Sequence, residues 1–198
     1  MDTYKVTLTF TEPLLGTVTL DPEIYAAWIA KNVPDAKSLK EELATLGTEE
    51  VLEKGTTGFH RVDGQPILYD YVIKGFLKDA CSMLRRVPDT LSHGIRAYRK
   101  IIDGLMFVTP RRIPIELNGN GMAFLERPLR ASTAQGERIC LARSETVPAG
   151  ASISFTLSVL GVVKLPQLDE WFDYGQLRGL GQWRNASYGR FRYEMTTQ

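Results

Sequence analysis

Between Tyr4 and Thr11 apolar and polar residues alternate: Tyr4, Val6, Leu8 and Phe10 are apolar, and Lys5, Thr7, Thr9 and Thr11 are polar. A period of two places the apolar set on one face of a half-buried strand. The pattern returns at Ile153, Phe155, Leu157 and Val159, and again at Phe191, Tyr193 and Met195. Elsewhere the apolar step lengthens to three and four. Val72, Phe76, Leu77, Ala80, Cys81 and Leu84 predict a helix over 72–86 that ends in Arg85-Arg86 before Val87-Pro88. Leu168, Trp171, Phe172 and Leu177 predict another, opened by Pro166. A further helix is predicted over 93–103, with Asp103-Gly104 at its end and His93 near its start.

The stretches between these elements carry their own punctuation. Asp21-Pro22-Glu23, the capping box Ser38-Leu39-Lys40-Glu41 and Thr48-Glu49-Glu50 each open a helix, so residues 21–54 read as an acidic helical insertion. Asp63-Gly64 is the turn of a hairpin whose flanks are 58–62 and 67–71. Residues 105–108 and 112–117 read as strands, and 118–121 as a turn. Residues 122–145, carrying Arg127, Arg130, Arg138 and Arg143, read as a long hairpin or arm. Strand, helices, strands, helix and strand, with no long linker, predict one α+β unit over 1–198: a ferredoxin-like βαββαβ core, RRM-like, with a helical insertion and an extended hairpin.

Composition excludes several classes. At 43% hydrophobic and 24% charged residues, the 198-residue chain is neither a disordered tail nor a fibre. Cys81 and Cys140 are too few for a disulfide framework. Both sit in apolar contexts that suit buried thiols, and two histidines cannot complete a zinc site. No metal or cofactor is expected. The longest uncharged run, Thr146–Val163, alternates and contains Pro148 and Gly150, so it reads as strand and turn and not as a membrane span. The start Met-Asp-Thr-Tyr-Lys shows no signal peptide, and a cytoplasmic location follows by default. A net charge of +1 argues against nucleic acid until it is mapped. Residues 1–60 hold 5 Lys, no Arg and 10 Asp or Glu, and all 15 arginines lie beyond them. An acidic front and an arginine-rich body call for an anionic partner for one part of the chain.

The glycine-rich segment 178–191 is where such a partner would bind. It holds Gly179, Gly181 and Gly189 among Arg178, Arg184, Arg190, Trp183 and Tyr188, with Gln182 and Asn185 between them. Glycines let backbone approach a phosphate, arginine offers a bidentate fork, and aromatic faces accept a base. The same composition also suits a packed turn with Trp183 as its plug. It follows a helix and precedes a strand, and no Gly-Lys-Ser/Thr is present, so nucleotide-triphosphate motifs are excluded. A second segment, Leu68–Lys78, places Lys74 and Gly75 at a helix start, with Lys78 a turn further on; it reads either as an anion site or as solvated lysines. Asp169, Glu170 and Asp173 read as a solvated face of their helix.

These segments resemble, in order, those of the RAMP superfamily of CRISPR-associated proteins. Gly64-Gln65-Pro66 followed by Tyr71-Val72-Ile73-Lys74-Gly75-Phe76-Leu77-Lys78 is similar to the family's G-x-P-y-I-P-G-S-S-L-K-G-x-L-R stretch. Glu145, Val147, Pro148, Gly150 and the strand beyond resemble the E-x-V-P-x-G-T-x-F segment of the backbone subunits. Gly179-Leu180-Gly181 with Gly189-Arg190-Phe191 resembles the glycine-rich loop before the last strand. The resemblance spans 58–195. It implies a subunit that coats a guide RNA in repeated copies, a helical homo-oligomer, with a complementary target strand as a further possible partner. It also implies contacts to the RNA backbone at Lys74, Gly75, Gly179 and Gly181, and a thumb hairpin at 126–143. This chain departs from the family at Tyr69-Asp70-Tyr71-Val72, where the family has Pro-Gly-Ser-Ser.

Arg127, Arg130, Arg138, Gln182, Trp183, Arg184, Asn185, Gly189 and Arg190 complete the candidate RNA-binding set. RNA-cleaving members carry an Asp before the hairpin; here Lys54–His60 holds no carboxylate, so a non-catalytic subunit is expected. Two rivals stand: a metal-independent endoribonuclease with His60 as general base, and an assembly protein whose acidic 21–54 helices dock on a basic neighbour.

Overall fold

The structure, a computed structural model, describes residues 1–20, 56–133, 136–161 and 163–198, with backbone alone for those among 129–141. In chain order its elements are β1 (Asp2–Phe10), β2 (Leu14–Leu15), β3 (Val18–Thr19), β4 (Thr56–Gly58), β5 (His60–Val62), β6 (Gln65–Tyr69), α1 (Asp70–Leu84) and α2 (Tyr98–Leu105). There follow β7 (Met106–Thr109), β8 (Arg112–Glu116), β9 (Ala123–Thr133), β10 (Gly136–Val147), β11 (Ser152–Val159), α3 (Leu165–Arg178) and β12 (Phe191–Thr197). The helices expected over 21–54 lie outside the described residues.

β1, α1, β7, β11, α3 and β12 form a ferredoxin-like core. Its strands run β12-β1-β11-β7, each antiparallel to its neighbours. The alternations dictate the layering. Tyr4, Val6, Leu8 and Phe10 face inward with Ile153, Phe155, Leu157 and Val159. On the outer face Thr7 and Ser154 share a hydrogen bond of 2.9 Å. The inner face is covered by Ile73, Phe76, Leu77, Ala80 and Cys81 of α1 and by Leu168, Trp171 and Phe172 of α3, all buried. The Ile, Leu and Phe side chains among them each contribute about 1.5–3 kcal/mol of transfer free energy. Gly175 sits where a Cβ would lie 2.5 Å from Phe191 and 2.6 Å from Phe76, so its lack of a side chain lets the two rings meet edge to face beneath α3.

A second sheet, β2-β10-β4-β3 with β9 on β10, stands beside the core, and β9–β10 is the long hairpin read from the sequence. Beyond β11 the first sheet continues through β8 and β6 to β5, with the Asp63-Gly64 turn joining β5 to β6. No helix among the described residues is long and apolar enough to cross a membrane.

Three local expectations are corrected. α1 runs 70–84 and not 72–86, so Lys74 lies in the second turn and not at the helix start. α2 begins at Tyr98, after Ala97 in a left-handed conformation, and His93 lies in the turn before it. Asp169, Glu170 and Asp173 are not a merely solvated face. Glu170 accepts hydrogen bonds from the Leu91 amide (2.8 Å) and the Ser92 hydroxyl (2.6 Å), and that hydroxyl accepts from the buried indole of Trp171 (2.7 Å). The Tyr193 hydroxyl donates to Asp173 at 3.1 Å. The carboxylates thus tie the α1–α2 connection and β12 to α3.

Candidate nucleic-acid interface

The loop between α3 and β12 is closed at its base by its own backbone. The Leu180 amide donates to the Gly189 carbonyl (2.9 Å), and the Gly189 amide to that of Pro13 (2.8 Å). Gly189 has φ +71°, and a Cβ there would lie 2.0 Å from the Leu180 carbonyl oxygen, so only glycine fits. Leu180, 2% exposed, is the residue that plugs the core, while Trp183 stays 40% exposed.

Trp183 heads a stack. Its ring lies parallel to that of Tyr188 with centroids 5.3 Å apart, and the Arg127 guanidinium from β9 sits 3.3 Å from its centroid. Among the described residues the Nε and Nη1 of Arg127 have no hydrogen-bond partner, and burial lowers its pKa. The Gln182 side chain pins the loop to the second sheet, reaching the Gly16 carbonyl and the hydroxyls of Thr57 (2.9 Å) and Ser144 (3.0 Å). Asp79 of α1 holds the other side, accepting from Arg184 at 2.8 Å and pairing with Arg178 at 3.6 Å. Asn185 accepts from Arg178, and Arg190 donates through Nε to the Leu177 carbonyl at 2.9 Å.

Beside the stack, Gly75 on α1 and Gly181 on the loop line one cleft of about 270 Å³ with Thr17, Val72 and Arg184. An adjoining cleft of about 240 Å³ shares Gly181 and Arg184 and is lined also by Trp183 and Asn185. The structure therefore joins Gly75 to the glycine loop but separates Lys74 from it. Lys74 Nζ donates to the Asp103 carbonyl (3.3 Å) and lies over the Phe107 ring, and Lys78 pairs with the Asp103 carboxylate at 2.8 Å. Arg130 and Arg138 lie on β9 and β10 of the hairpin, paired in register with Ile139 and Ala131, and their side chains fall outside the described set. Asp79, Thr57 and Ser144 escaped the sequence reading, and Tyr188 was noted in the glycine-rich segment but not placed in the candidate set. Asp79, Thr57 and Ser144 carry no local signal, being ordinary polar residues in the chain.

Gly75 provides a test of why that glycine is there. A Cβ added to it meets nothing within 4 Å, so Gly75→Ala should stabilise α1 by about 0.5–1 kcal/mol. If the bare backbone serves a ligand, affinity for RNA should fall while the melting temperature rises. A variant that is more stable and binds RNA as before would show that the cleft does not bind RNA.

His60 lies on β5, 3% exposed, its ring edge-to-face with Tyr69 at 4.8 Å. Burial lowers its pKa from 6.5 to about 4. The unfolded chain therefore takes up a proton near pH 6.5 that the folded chain refuses until about pH 4, and stability falls as pH drops through that window. From pH 7 to pH 5 the loss from this group is about 2 kcal/mol. Chemical denaturation at the two pH values should show it, and a His60→Phe variant should show a smaller difference.

No protein-family model matches the chain, and no curated protein does. Among solved structures, a chain of the type III-B Cmr-beta structure bound to cognate target RNA aligns with 99% of this chain at a TM-score of 0.55 and 11% identity. A chain of a type IV-B CRISPR complex aligns with 99% at a TM-score of 0.44 and 11% identity, covering 90% of its own length. This chain spans 60% of the length of the Cmr-beta chain. At that identity the likeness to Cmr-beta is one of fold alone.

Proposed function

We propose that this protein is a non-catalytic RNA-binding subunit of an RNA-guided, CRISPR-type effector complex in the cytoplasm, coating a guide RNA in repeated copies. The observation that carries this reading is the stack of Arg127, the exposed Trp183 and half-buried Tyr188 at clefts lined by Gly75 and Gly181. Such a site offers exposed aromatic surface to a base, a guanidinium for a phosphate and backbone that a strand can approach closely. The fold shared with a chain of an RNA-bound Cmr-beta structure supports it. The non-catalytic part is supported by His60, whose burial keeps it neutral and out of solvent, a poor position for a general base.

One chain can cover only a few nucleotides, so a guide of useful length needs several copies in a head-to-tail array. The β9–β10 hairpin would reach across such a junction, and the acidic 1–60 segment complements the arginine-rich remainder. The test is mass by light scattering with single-stranded RNAs of increasing length, with the RNA recovered afterwards. Copy number should rise stepwise and the RNA should remain intact. A constant monomer or dimer at every length would overturn the array. Specific cleavage products lost in His60→Ala would replace the non-catalytic reading with an endoribonuclease.

A further inference from the structure

The connection between α1 and α2 gathers cations on the protein's surface away from the glycine loop. Arg85, at the end of α1, and Arg99, in the first turn of α2, both stack on the ring of Tyr98, at 5.4 and 5.8 Å from its centroid. Arg99 also donates through Nε to the Tyr98 hydroxyl at 3.2 Å. With Ala97 and Lys100 these residues line a cleft of about 340 Å³, several times the size of a phosphate group. Several cations elsewhere pair with carboxylates: Lys78 with Asp103, Arg184 with Asp79, Arg143 with Glu126. Among the described residues, no carboxylate lies within ion-pair distance of Arg85, Arg99 or Lys100.

Like charges held close repel, and solvent screens but does not remove the cost. Stacking on one buried ring fixes two guanidiniums in place, and a third cation faces the same space. A single carboxylate would answer one of them. A phosphate group carries up to two charges and three acceptor oxygens, enough to answer all three cations that line the cleft.

We infer that the cleft between Arg85, Tyr98, Arg99 and Lys100 is a second anion site that takes a phosphate group. The source of that phosphate is either an RNA strand or a free phosphate-bearing molecule. The site does not depend on the RNA reading of the Trp183 loop.

The test uses the full chain and an R99Q/K100Q variant, both exposed positions that leave Arg85 on the Tyr98 ring. Melting temperatures are measured in inorganic phosphate and in chloride at equal ionic strength. Single-stranded RNA affinity is measured against salt concentration. The wild type should melt higher in phosphate, since a ligand bound only to the folded state stabilises it, and the variant should lose most of that rise. If the phosphate belongs to RNA, the salt slope of the variant should fall by about 1.4, roughly 0.7 per cation on a single strand. An unchanged slope with a lost phosphate effect assigns the site to a free phosphate ligand. A phosphate effect lost in the variant while the wild type binds no RNA leaves this site standing and removes the RNA reading. An equal phosphate response in both proteins together with an equal salt slope overturns the site. So does a melting rise in the wild type with polyglutamate but not with phosphate.

Discussion

Replacing Arg127 and Trp183 together by alanine should weaken binding of single-stranded RNA about a hundredfold. A base stacked on an aromatic contributes about 1–3 kcal/mol, and a charged hydrogen bond to phosphate about 1.5–3 kcal/mol. A combined loss near 3 kcal/mol corresponds to roughly that factor. The fold should survive, because the plug of the loop is Leu180, and the loop is held by Gln182, Asp79 and its own backbone. Fluorescence anisotropy with a labelled RNA measures the effect, and the single variants divide it. Trp183→Ala should leave the salt dependence nearly unchanged, whereas Arg127→Ala should flatten it, because only the guanidinium displaces counterions. A double variant that binds as the wild type does would remove this loop from the interface.

The largest effect on stability should come from Arg61. Its guanidinium pairs with Glu145, whose side chain is 5% exposed and also accepts the Phe59 amide at 3.1 Å. Arg61→Leu leaves that carboxylate buried with only an amide to answer it. Stranding one member of a buried pair costs about 3–5 kcal/mol. Arg61 is itself 21% exposed, so water reaches the pair and the lower end, about 3 kcal/mol, is expected. For a chain of this size that lowers the melting temperature by about 6–12 °C. Arg61→Leu combined with Glu145→Leu should recover most of the loss, because it removes the stranded charge. A single variant that melts with the wild type would mean that the pair is solvated.

These two positions show different degrees of legibility in the sequence. Arg127 and Trp183 were both visible as candidates, because each residue type suits a nucleic acid whatever its neighbours. That they form one stack was not visible, since the hairpin and the glycine loop are brought together only by the two sheets. Arg61 and Glu145 are ordinary polar residues in the chain, and only the approach of β5 to β10 makes them a buried pair.

The strands β1, β11 and β12 and the helices α1 and α3 follow from the sequence by itself. Each needs only its own period: two for a strand with one wet face, three and four for a helix with one buried stripe. Turns at Asp63-Gly64 and Asn118-Gly119 follow as locally, because a backbone that must pass through positive φ selects those residues. The α+β class then follows from the order of the elements. The tertiary structure decided what depends on who stands opposite. Lys74 and Gly75 are neighbours in the chain, yet Asp103 draws the lysine toward α2 while the glycine opens onto the loop cleft. Glu170 has the look of a solvent-facing helix residue, but the 91–92 turn folds back onto it. In the glycine loop Leu180 and Trp183 are both apolar, and composition could not say which turns inward. The Leu180 amide meets the Gly189 carbonyl at the base of the loop and sets its side chain into the core, which leaves the larger ring outside with Arg127.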